Sequence, residues 1–402
     1  MQQYASPLLA PGTPLDDRSR QLIEELSRSE YEKSLILPTD DPLDQKRRAR
    51  VGYTWDEMWA QPEMIRLTLA AESQAIQDAA AYFSSTDFDR LVMVGCGDSL
   101  AVMTAVRSFF ESLLGIPCEP IQALDFAYYY NYPLNPRTLV VVLSSSGATT
   151  RVVEALMLAK AKGAPTLALT NTVDSPLWLE ADQHILIHAE RKGWPTQSST
   201  AAMAILYQFC LELARRSRHP GTDGHSAGID SLEQALHATP ALIGEALQAH
   251  NEAMHLLAEE ITDCPLYLFA GGGPSFASAM FGAAKVKECS PAHAIAIMLE
   301  EYHHYNSQKP GEPLFLVAPA GPSLPRLLDT AREGKRSRGR IFSLVSEGDC
   351  TLQDSSDLLF VLPAMDERLA PMVYTIPLHL FAYHVAMAKF HLAERLTSEH
   401  GA

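Results

Sequence analysis

Residues 139–154, LVVVLSSSGATTRVVE, constrain the fold of this chain more than any other stretch. Five apolar residues predict a buried parallel strand, and apolar residues at helical spacing from Val152 onward predict a helix. The turn between them is rich in hydroxyl groups and lies at a helix N-terminus, where the helix dipole favours an anion. The hydroxyls of Ser144, Ser146 and Thr149 therefore predict a phosphate site. An ordinary N-cap is the alternative interpretation, although a cap needs only one hydroxyl.

The composition limits the classes of function that this chain can have. Its 402 residues are enough for two domains, and 47% apolar and 20% charged residues are typical of a folded globular protein. A net charge of −16 argues against nucleic acid or an anionic membrane as a partner, and no run of 18 apolar residues predicts a membrane-spanning helix. Six scattered cysteines without a CxxC pair predict reduced thiols, a cytoplasmic location and no metal site.

Strands and helices alternate along the first half of the chain. A helix is expected over 54–82, kinked or restarted at Pro62, and the charged run at 44–50 is interpreted as a solvated surface. Helical patterns also cover 19–35 and 196–215. The expected strands begin at Leu91 and then cover 117–121, 139–143, 164–171 and 183–189. This alternation predicts a parallel sheet with helices on both faces.

The second half repeats the pattern of the first. LYLFAGGGPSFA at 266–277 matches LVMVGCGDSLA at 91–101 with an offset of 176, and FLVAPAGP at 315–322 matches 141–148 with an offset of 174. Two later strand patterns, 340–346 and 356–362, follow in the same order. The repeats predict two α/β domains of one fold. The expected division is an N-terminal arm at 1–50, a first domain at 51–215, a linker and connecting helix at 216–255, and a second domain at 256–402.

The two copies differ where chemistry is expected. The hydroxyl turn SSSGA of the first copy is APAGP in the second, so the predicted phosphate site is lost there. The second copy instead has ionisable residues that the first lacks, namely Lys285, Lys287, Glu288, His293, Glu300, Glu301, His303 and His304. An anchor in one domain and acid/base groups in the other would suit a sugar phosphate.

Five motifs together resemble the SIS (sugar isomerase) family. They are GCGDS (95–99), LSSSGATT (143–150), GWPTQSST (193–200), KVKECS (285–290) and EEYHH (300–304). The closest groups are the isomerase half of glucosamine-6-phosphate synthase, the fructosamine-6-phosphate deglycases and the ketose/aldose isomerases of amino sugars. The resemblance implies two tandem SIS-type domains, each a flavodoxin-like three-layer αβα sandwich. It also implies an enzyme without metal or cofactor, working as a homodimer with shared sites; a glutaminase domain is not expected.

The resemblance also implies roles for individual residues. Glu288 would move a proton between C1 and C2 of the substrate, and His304, 16 residues later, would help to open the sugar ring. Thr196 and its neighbours would contact sugar hydroxyls, and Gly97 would let the backbone approach the ligand. The phosphate would bind to Ser99, Ser144, Ser145, Ser146 and Thr149. Asp98 departs from the synthase, which has a hydroxyl residue there, and is expected to face a sugar hydroxyl or to cap its helix.

Two of these residue roles, and the function of the whole chain, have alternative interpretations. Glu288 could be a surface residue paired with Lys285, and His303 competes with His304 for the same role. The first hypothesis for the whole chain is an aldose–ketose isomerase, deaminase or deglycase acting on a phosphorylated sugar or amino sugar. The second is a non-catalytic regulator that binds a sugar phosphate, which would have no need for both Glu288 and His304.

Overall fold

The structure, a computed structural model, describes residues 14–217, 221–224, 226–305 and 308–400. The first half contains one five-stranded sheet and the helices around it. In chain order its elements are α1 (Asp17–Ser34), α2 (Gln45–Ala71), α3 (Ser73–Ser84), β1 (Arg90–Gly95), α4 (Asp98–Leu114), β2 (Cys118–Gln122), α5 (Ala123–Asp125), β3 (Thr138–Leu143), α6 (Thr150–Ala161), β4 (Thr166–Thr170), α7 (Pro176–Glu180), β5 (Gln183–Leu186) and α8 (Gln197–Arg216).

The second half contains a second five-stranded sheet. Its elements are α9 (Ser226–Glu260), β6 (Leu266–Gly271), α10 (Ser275–Cys289), β7 (His293–Met298), α11 (Leu299–Tyr305), β8 (Pro313–Ala318), α12 (Leu324–Arg336), β9 (Arg340–Ser346), β10 (Leu358–Leu362), α13 (Ala370–Tyr374) and α14 (Ile376–His400). The part of the predicted linker that falls on 218–220 and 225 lies outside the described residues, as do residues 1–13 of the arm.

The two sheets have the same topology, which confirms the predicted fold class. The strand order is β2-β1-β3-β4-β5 in one and β7-β6-β8-β9-β10 in the other, and every pair is parallel. Helices cover both faces, as buried strands of nearly continuous apolar sequence require. This is the order of the flavodoxin-like fold, in which ligands bind where the chain direction reverses, beyond the carboxyl ends of the first and third strands.

The prediction that the helix is kinked or restarted at Pro62 is wrong as to a restart, because α2 continues through this proline. A proline at this position cannot donate to the carbonyl of Met58. The side-chain amide of Gln61 donates to that carbonyl instead, at 2.8 Å, so the lost hydrogen bond is replaced locally. The break comes at Glu72, whose carboxylate accepts from the Leu186 backbone N–H and contacts His188.

The prediction that the charged run at 44–50 is a solvated surface is wrong for Arg47, which is 4% exposed. The first turns of α2 pack against the second domain, and the Arg47 guanidinium donates to the backbone carbonyl of Glu288 at 2.8 Å. In the part of the chain that the structure describes, no helix is both long enough and apolar enough to cross a membrane.

Candidate active site

A cavity of about 220 Å³ opens at the carboxyl ends of β1 and β3, the topological switch point of the first sheet. Three regions of sequence form its wall: the turn after β1, the hydroxyl turn after β3, and the segment leading into α8. Among the described residues, Glu288, at the end of α10, is the lining residue that comes from the second domain. The wall thus brings together Gly97, Asp98, Ser99, Ser144, Ser145, Ser146, Thr149 and Glu288, all predicted site residues.

The hydroxyl turn is folded so that its side chains converge. Ser144 Oγ lies 2.7 Å from Thr149 Oγ1 and 3.3 Å from Ser146 Oγ. Ser145 Oγ instead lies 3.2 Å from Ser198 Oγ, at the start of α8. Thr149 is the N-cap residue of α6 but its side chain makes no capping hydrogen bond, so the ordinary N-cap interpretation does not account for these hydroxyls.

A carboxylate from the N-terminal arm lies at the same helix terminus. Glu30, on α1, accepts hydrogen bonds from the backbone N–H of Thr150 at 2.9 Å and from its hydroxyl at 2.6 Å. A negative charge is stabilised at this end of a helix, as a bound anion would be. Since the carboxylate uses the Thr150 N–H, an anion in the cavity would have to bind to the hydroxyls and N–H groups on the other side of the turn.

A buried lysine joins two carboxylates from different domains. Lys285, on α10, is fully buried, and its Nζ lies 2.5 Å from Oδ2 of Asp98 and in hydrogen-bond contact with Glu288. The pairing of Glu288 with Lys285 is therefore present, but it is not on the surface: the Asp98 side chain is 10% exposed and that of Glu288 is 30% exposed. The prediction that Asp98 caps its helix through its side chain is wrong, because this carboxylate binds Lys285.

Burial and charge act in opposite directions in this cluster. Burial raises the pKa of Asp98 to about 6, and the Lys285 ammonium partly offsets that increase. Burial alone would lower the pKa of Lys285, but the two carboxylates outweigh it and raise the pKa above its usual range. Behind Lys285 lies His379, whose pKa burial lowers to about 3, so this imidazole is neutral. Lys285 is thus a fixed cation beside the cavity.

Helix α2 holds the segment that covers the other side of the cavity. Glu57 accepts from the backbone N–H groups of Lys192 and Gly193 at 2.5 and 3.0 Å, and Thr54 Oγ1 accepts from the Trp194 N–H at 2.8 Å. The backbone at Gly193 passes so close to α2 that a Cβ there would lie 2.5 Å from the Thr54 nitrogen. Arg191, two residues before Gly193, is an exposed residue in the cavity wall.

Two predicted site residues do not reach the cavity wall. Thr196 is fully buried as the N-cap of α8, and its neighbours Pro195, Ser198 and Ser199 line the cavity in its place. His304, on α11, has a side chain that is 65% exposed and is also absent from the wall formed by this chain.

The two adjacent histidines have different environments. His303 is held inside its own domain, with Nδ1 2.8 Å from Glu333 Oε2 and Nε2 2.9 Å from Thr330 Oγ1. Both ring nitrogens are thus engaged with α12. His304 points to the surface, 3.8 Å from Glu300, so it is the histidine that is accessible to a ligand or to another subunit.

In the second domain, the turn that corresponds to the hydroxyl turn lies against a carboxylate. Gly321 takes the place of Gly147 in the repeat, and a side chain there would overlap the carboxylate of Glu367. The hydroxyls are absent and an internal carboxylate lies against the turn, so this turn would repel a phosphate. Among the described residues, no three His, Cys, Asp or Glu side chains cluster closely enough to hold a metal ion.

Sequence reasoning missed Arg191 and the buried state of Lys285 and Arg47. The signal for Arg47 was present, since Arg47, Val51, Thr54 and Met58 recur at helical spacing and form one buried face of α2. Arg191 stands in an irregular segment after β5, where no periodicity marks a site.

Known proteins with similar sequences include glutamine–fructose-6-phosphate aminotransferases. The glutamine–fructose-6-phosphate aminotransferase (isomerizing) of Thermococcus kodakarensis is 30% identical over 337 residues, which is 83% of this chain and 54% of that protein. This chain spans about half the length of the curated relatives that it matches.

Two solved structures share the fold. The C-terminal domain of glucosamine-fructose-6-phosphate aminotransferase from Francisella tularensis has a TM-score of 0.75 and 24% identity, covering 84% of this chain and 96% of that one. The glucosamine-6-phosphate deaminase of Thermotoga maritima has a TM-score of 0.64 and 19% identity, covering 84% of this chain and 94% of that one. The sequence profile of the SIS domain matches residues 86–212 and 260–389. The chain belongs to the SIS domain family.

Proposed function

We propose that this protein is a phosphosugar enzyme that moves a proton between C1 and C2 of a phosphorylated sugar or amino sugar, as an aldose–ketose isomerase or as a deaminase or deglycase. The observation that supports this most is that Glu288, from the second domain, lines the same cavity as the hydroxyl turn of the first. A phosphate anchor and a carboxylate facing one small cavity are what proton transfer on a tethered sugar needs.

The phosphate binds at the hydroxyl turn. Ser144, Ser146 and Thr149 converge there within hydrogen-bond distance of one another, and Ser99 lines the adjacent wall. The N-terminus of α6 adds the favourable end of its dipole. Arg191 is the cation in the wall and balances the charge of a bound dianion. Ser145 and Ser198, which contact each other, are left to bind sugar hydroxyls.

Glu288 is the proposed base. Its carboxylate removes a proton from C1 or C2, the C–H electron pair moves into an enediol or enolamine, and the same group returns the proton to the neighbouring carbon. Lys285, in contact with Glu288, offers positive charge beside the developing enediolate. Where the substrate has a carbonyl and a hydroxyl at C1 and C2, the product is the isomer. Where one of the two carbons has an amine, the proton shift gives an imine, which water hydrolyses to a carbonyl and the free amine.

His304 opens the sugar ring in the site of a second subunit. It lies outside the described cavity wall of its own chain, and three apolar side chains of β7 and α11, those of Ile295, Met298 and Tyr305, are 50%, 58% and 75% exposed. Exposed apolar side chains on and beside β7, the edge strand of its sheet, are typical of an interface. We propose a homodimer, working in the cytoplasm, where the unpaired state of the six cysteines would be stable.

A thermal-shift screen tests the substrate class. The melting temperature is measured with fructose 6-phosphate, glucosamine 6-phosphate, tagatose 6-phosphate and the corresponding unphosphorylated sugars. Because binding to the native state stabilises it by mass action, an increase confined to the phosphorylated sugars supports the proposal. An equal increase with the unphosphorylated sugars would contradict phosphate anchoring, and binding without any turnover would favour the non-catalytic regulator.

Mixing two inactive variants tests the shared site. Glu288→Gln removes the base and His304→Ala removes the proposed ring-opening group. If the two residues of one site come from different subunits, a randomly mixed and reassociated sample regains about a quarter of wild-type activity, because half of its dimers contain one intact site. No recovery in a sample shown to have exchanged subunits would contradict the shared site.

A further inference from the structure

Asp98 is the residue of the cavity wall whose role the phosphate anchor does not explain. A carboxylate beside a bound phosphate repels it, yet Asp98 follows Gly97 directly and precedes Ser99, both in the wall. Its Oδ2 lies 2.5 Å from Lys285 Nζ, while Oδ1 is buried with no partner among the described residues. The ion pair joins α4 of the first domain to α10 of the second.

The Lys285 ammonium has no access to water, so its charge depends on the carboxylates that contact it. A buried ammonium without a carboxylate loses its proton readily, and the pKa of such lysines falls to about 5–6 in extreme cases. In the resting site both Asp98 and Glu288 are within contact distance of Nζ. When Glu288 takes a proton from the substrate, it becomes neutral, and Asp98 is then the one negative side chain still paired with Lys285.

We propose that Asp98 is a positioning residue that keeps Lys285 charged and fixed between the two domains while Glu288 holds the substrate's proton. This inference rests on the proposed function for the proton-transfer step. The role of Asp98 is then to pair with Lys285 and not to bind the phosphate. It also implies that Lys285 acts as a fixed cation toward the enediolate and does not donate its own proton.

The other ionisable groups around the pair do not provide this charge. On α10 only Glu288 shares the lysine, and on α14 the nearby His379 is neutral. From α2, Arg47 and Arg50 approach Glu288 but are cations, and Arg191 in the cavity wall is also a cation. All three would favour deprotonation of Lys285 once Glu288 is neutral.

The charge of Lys285 can be measured without a substrate. Glu288→Gln imitates the neutral Glu288 of the intermediate, and the ¹⁵N resonance of the lysine amine, assigned with Lys285→Arg, reports whether it is protonated. In Glu288→Gln we expect Lys285 to stay an ammonium up to pH 9. In Asp98→Asn/Glu288→Gln we expect its titration to move down by roughly two pH units or more. An equal titration in both variants overturns the inference.

Single variants at Asp98 give a second readout if the double variant does not fold. Asp98→Asn keeps the shape of the side chain, whereas Asp98→Glu keeps its charge. If Asp98 acts through charge, Asp98→Glu retains more kcat than Asp98→Asn, and KM for the phosphorylated sugar changes less than two-fold in either. Higher kcat in Asp98→Asn would overturn the inference. An inactive wild type would instead contradict the proposed function, and the resonance measurement would still decide the charge of Lys285.

Discussion

Replacing Lys285 by Met should destabilise the protein in a way that depends on pH. Met has a similar length and fills the same space, so the main change is the loss of a fully buried cation. Breaking a buried ion pair by removing one partner costs about 3–5 kcal/mol in the free energy of unfolding. Because Glu288 is partly exposed and can regain water, we expect a value near the lower end.

The pH dependence follows from Asp98. Burial already raises its pKa to about 6 against the opposing ammonium, so the pKa rises further without Lys285. In the unfolded chain the Asp98 carboxyl titrates near its ordinary pKa. Above about pH 4 this carboxyl is therefore protonated more often in the folded state than in the unfolded state. Stability therefore falls as the pH rises toward the folded-state pKa, by up to about 1.4 kcal/mol per pH unit. In the wild type this fall ends near pH 6, and in the variant it continues above pH 6.

Urea unfolding of both proteins at pH 5.5, 7 and 8.5, followed by circular dichroism, measures this difference. The matched control is Lys335→Met, which removes a lysine 2.6 Å from Asp357 at a partly exposed position. That loss should cost at most about 1 kcal/mol. The reasoning is refuted if Lys285→Met costs no more than the control, or if the difference from wild type is the same at all three pH values.

Two further predictions concern the cavity wall. Ser146→Ala should raise KM for a phosphorylated sugar roughly ten-fold and leave kcat nearly unchanged, because a hydrogen bond to a charged group contributes about 1.5–3 kcal/mol. The control is Ser343→Ala, in the second sheet. Equal KM values for the two variants in steady-state kinetics would count against the anchor. Gly193→Ala should lower the melting temperature and raise KM, because the new Cβ would lie 2.5 Å from Thr54 N. Gly52→Ala, which meets no atom within 4 Å, should do neither, and equal behaviour of the two variants would show that the close approach is unimportant.

The fold was predictable because local and repeated patterns agree. The apolar run before Ser144 is a fully buried central strand, and the repeat at offsets of 174–176 places the second sheet in the same strand order. The end of α2 was not predictable in the same way. Whether Pro62 breaks a helix depends on whether another donor reaches Met58, and Gln61 reaches it through a side-chain conformation that no periodicity reveals.

The location of the candidate site was predictable where a single sequence motif contains the lining residues. The hydroxyl turn of the first repeat and Glu288 of the second line one cavity, and the roles assigned to them stay a prediction. Thr196 is buried in the segment that packs against α2, where Glu57 accepts a hydrogen bond from the Gly193 N–H. These residues are far apart in sequence. The bridge from Lys285 to Asp98 likewise spans 187 positions and depends on how the two domains pack, so sequence spacing gave no indication of it.

Exchange of a substrate proton with solvent tests the central claim most directly. The protein is incubated in D₂O with fructose 6-phosphate, glucosamine 6-phosphate or tagatose 6-phosphate, and deuterium at C1 or C2 is followed by proton NMR. We expect exchange with at least one phosphorylated sugar and none with its unphosphorylated form. In Glu288→Gln the rate should fall about 100-fold or more, while inorganic phosphate still raises the melting temperature. Exchange at the wild-type rate in Glu288→Gln, or no exchange with any sugar phosphate in the wild type, would contradict the account.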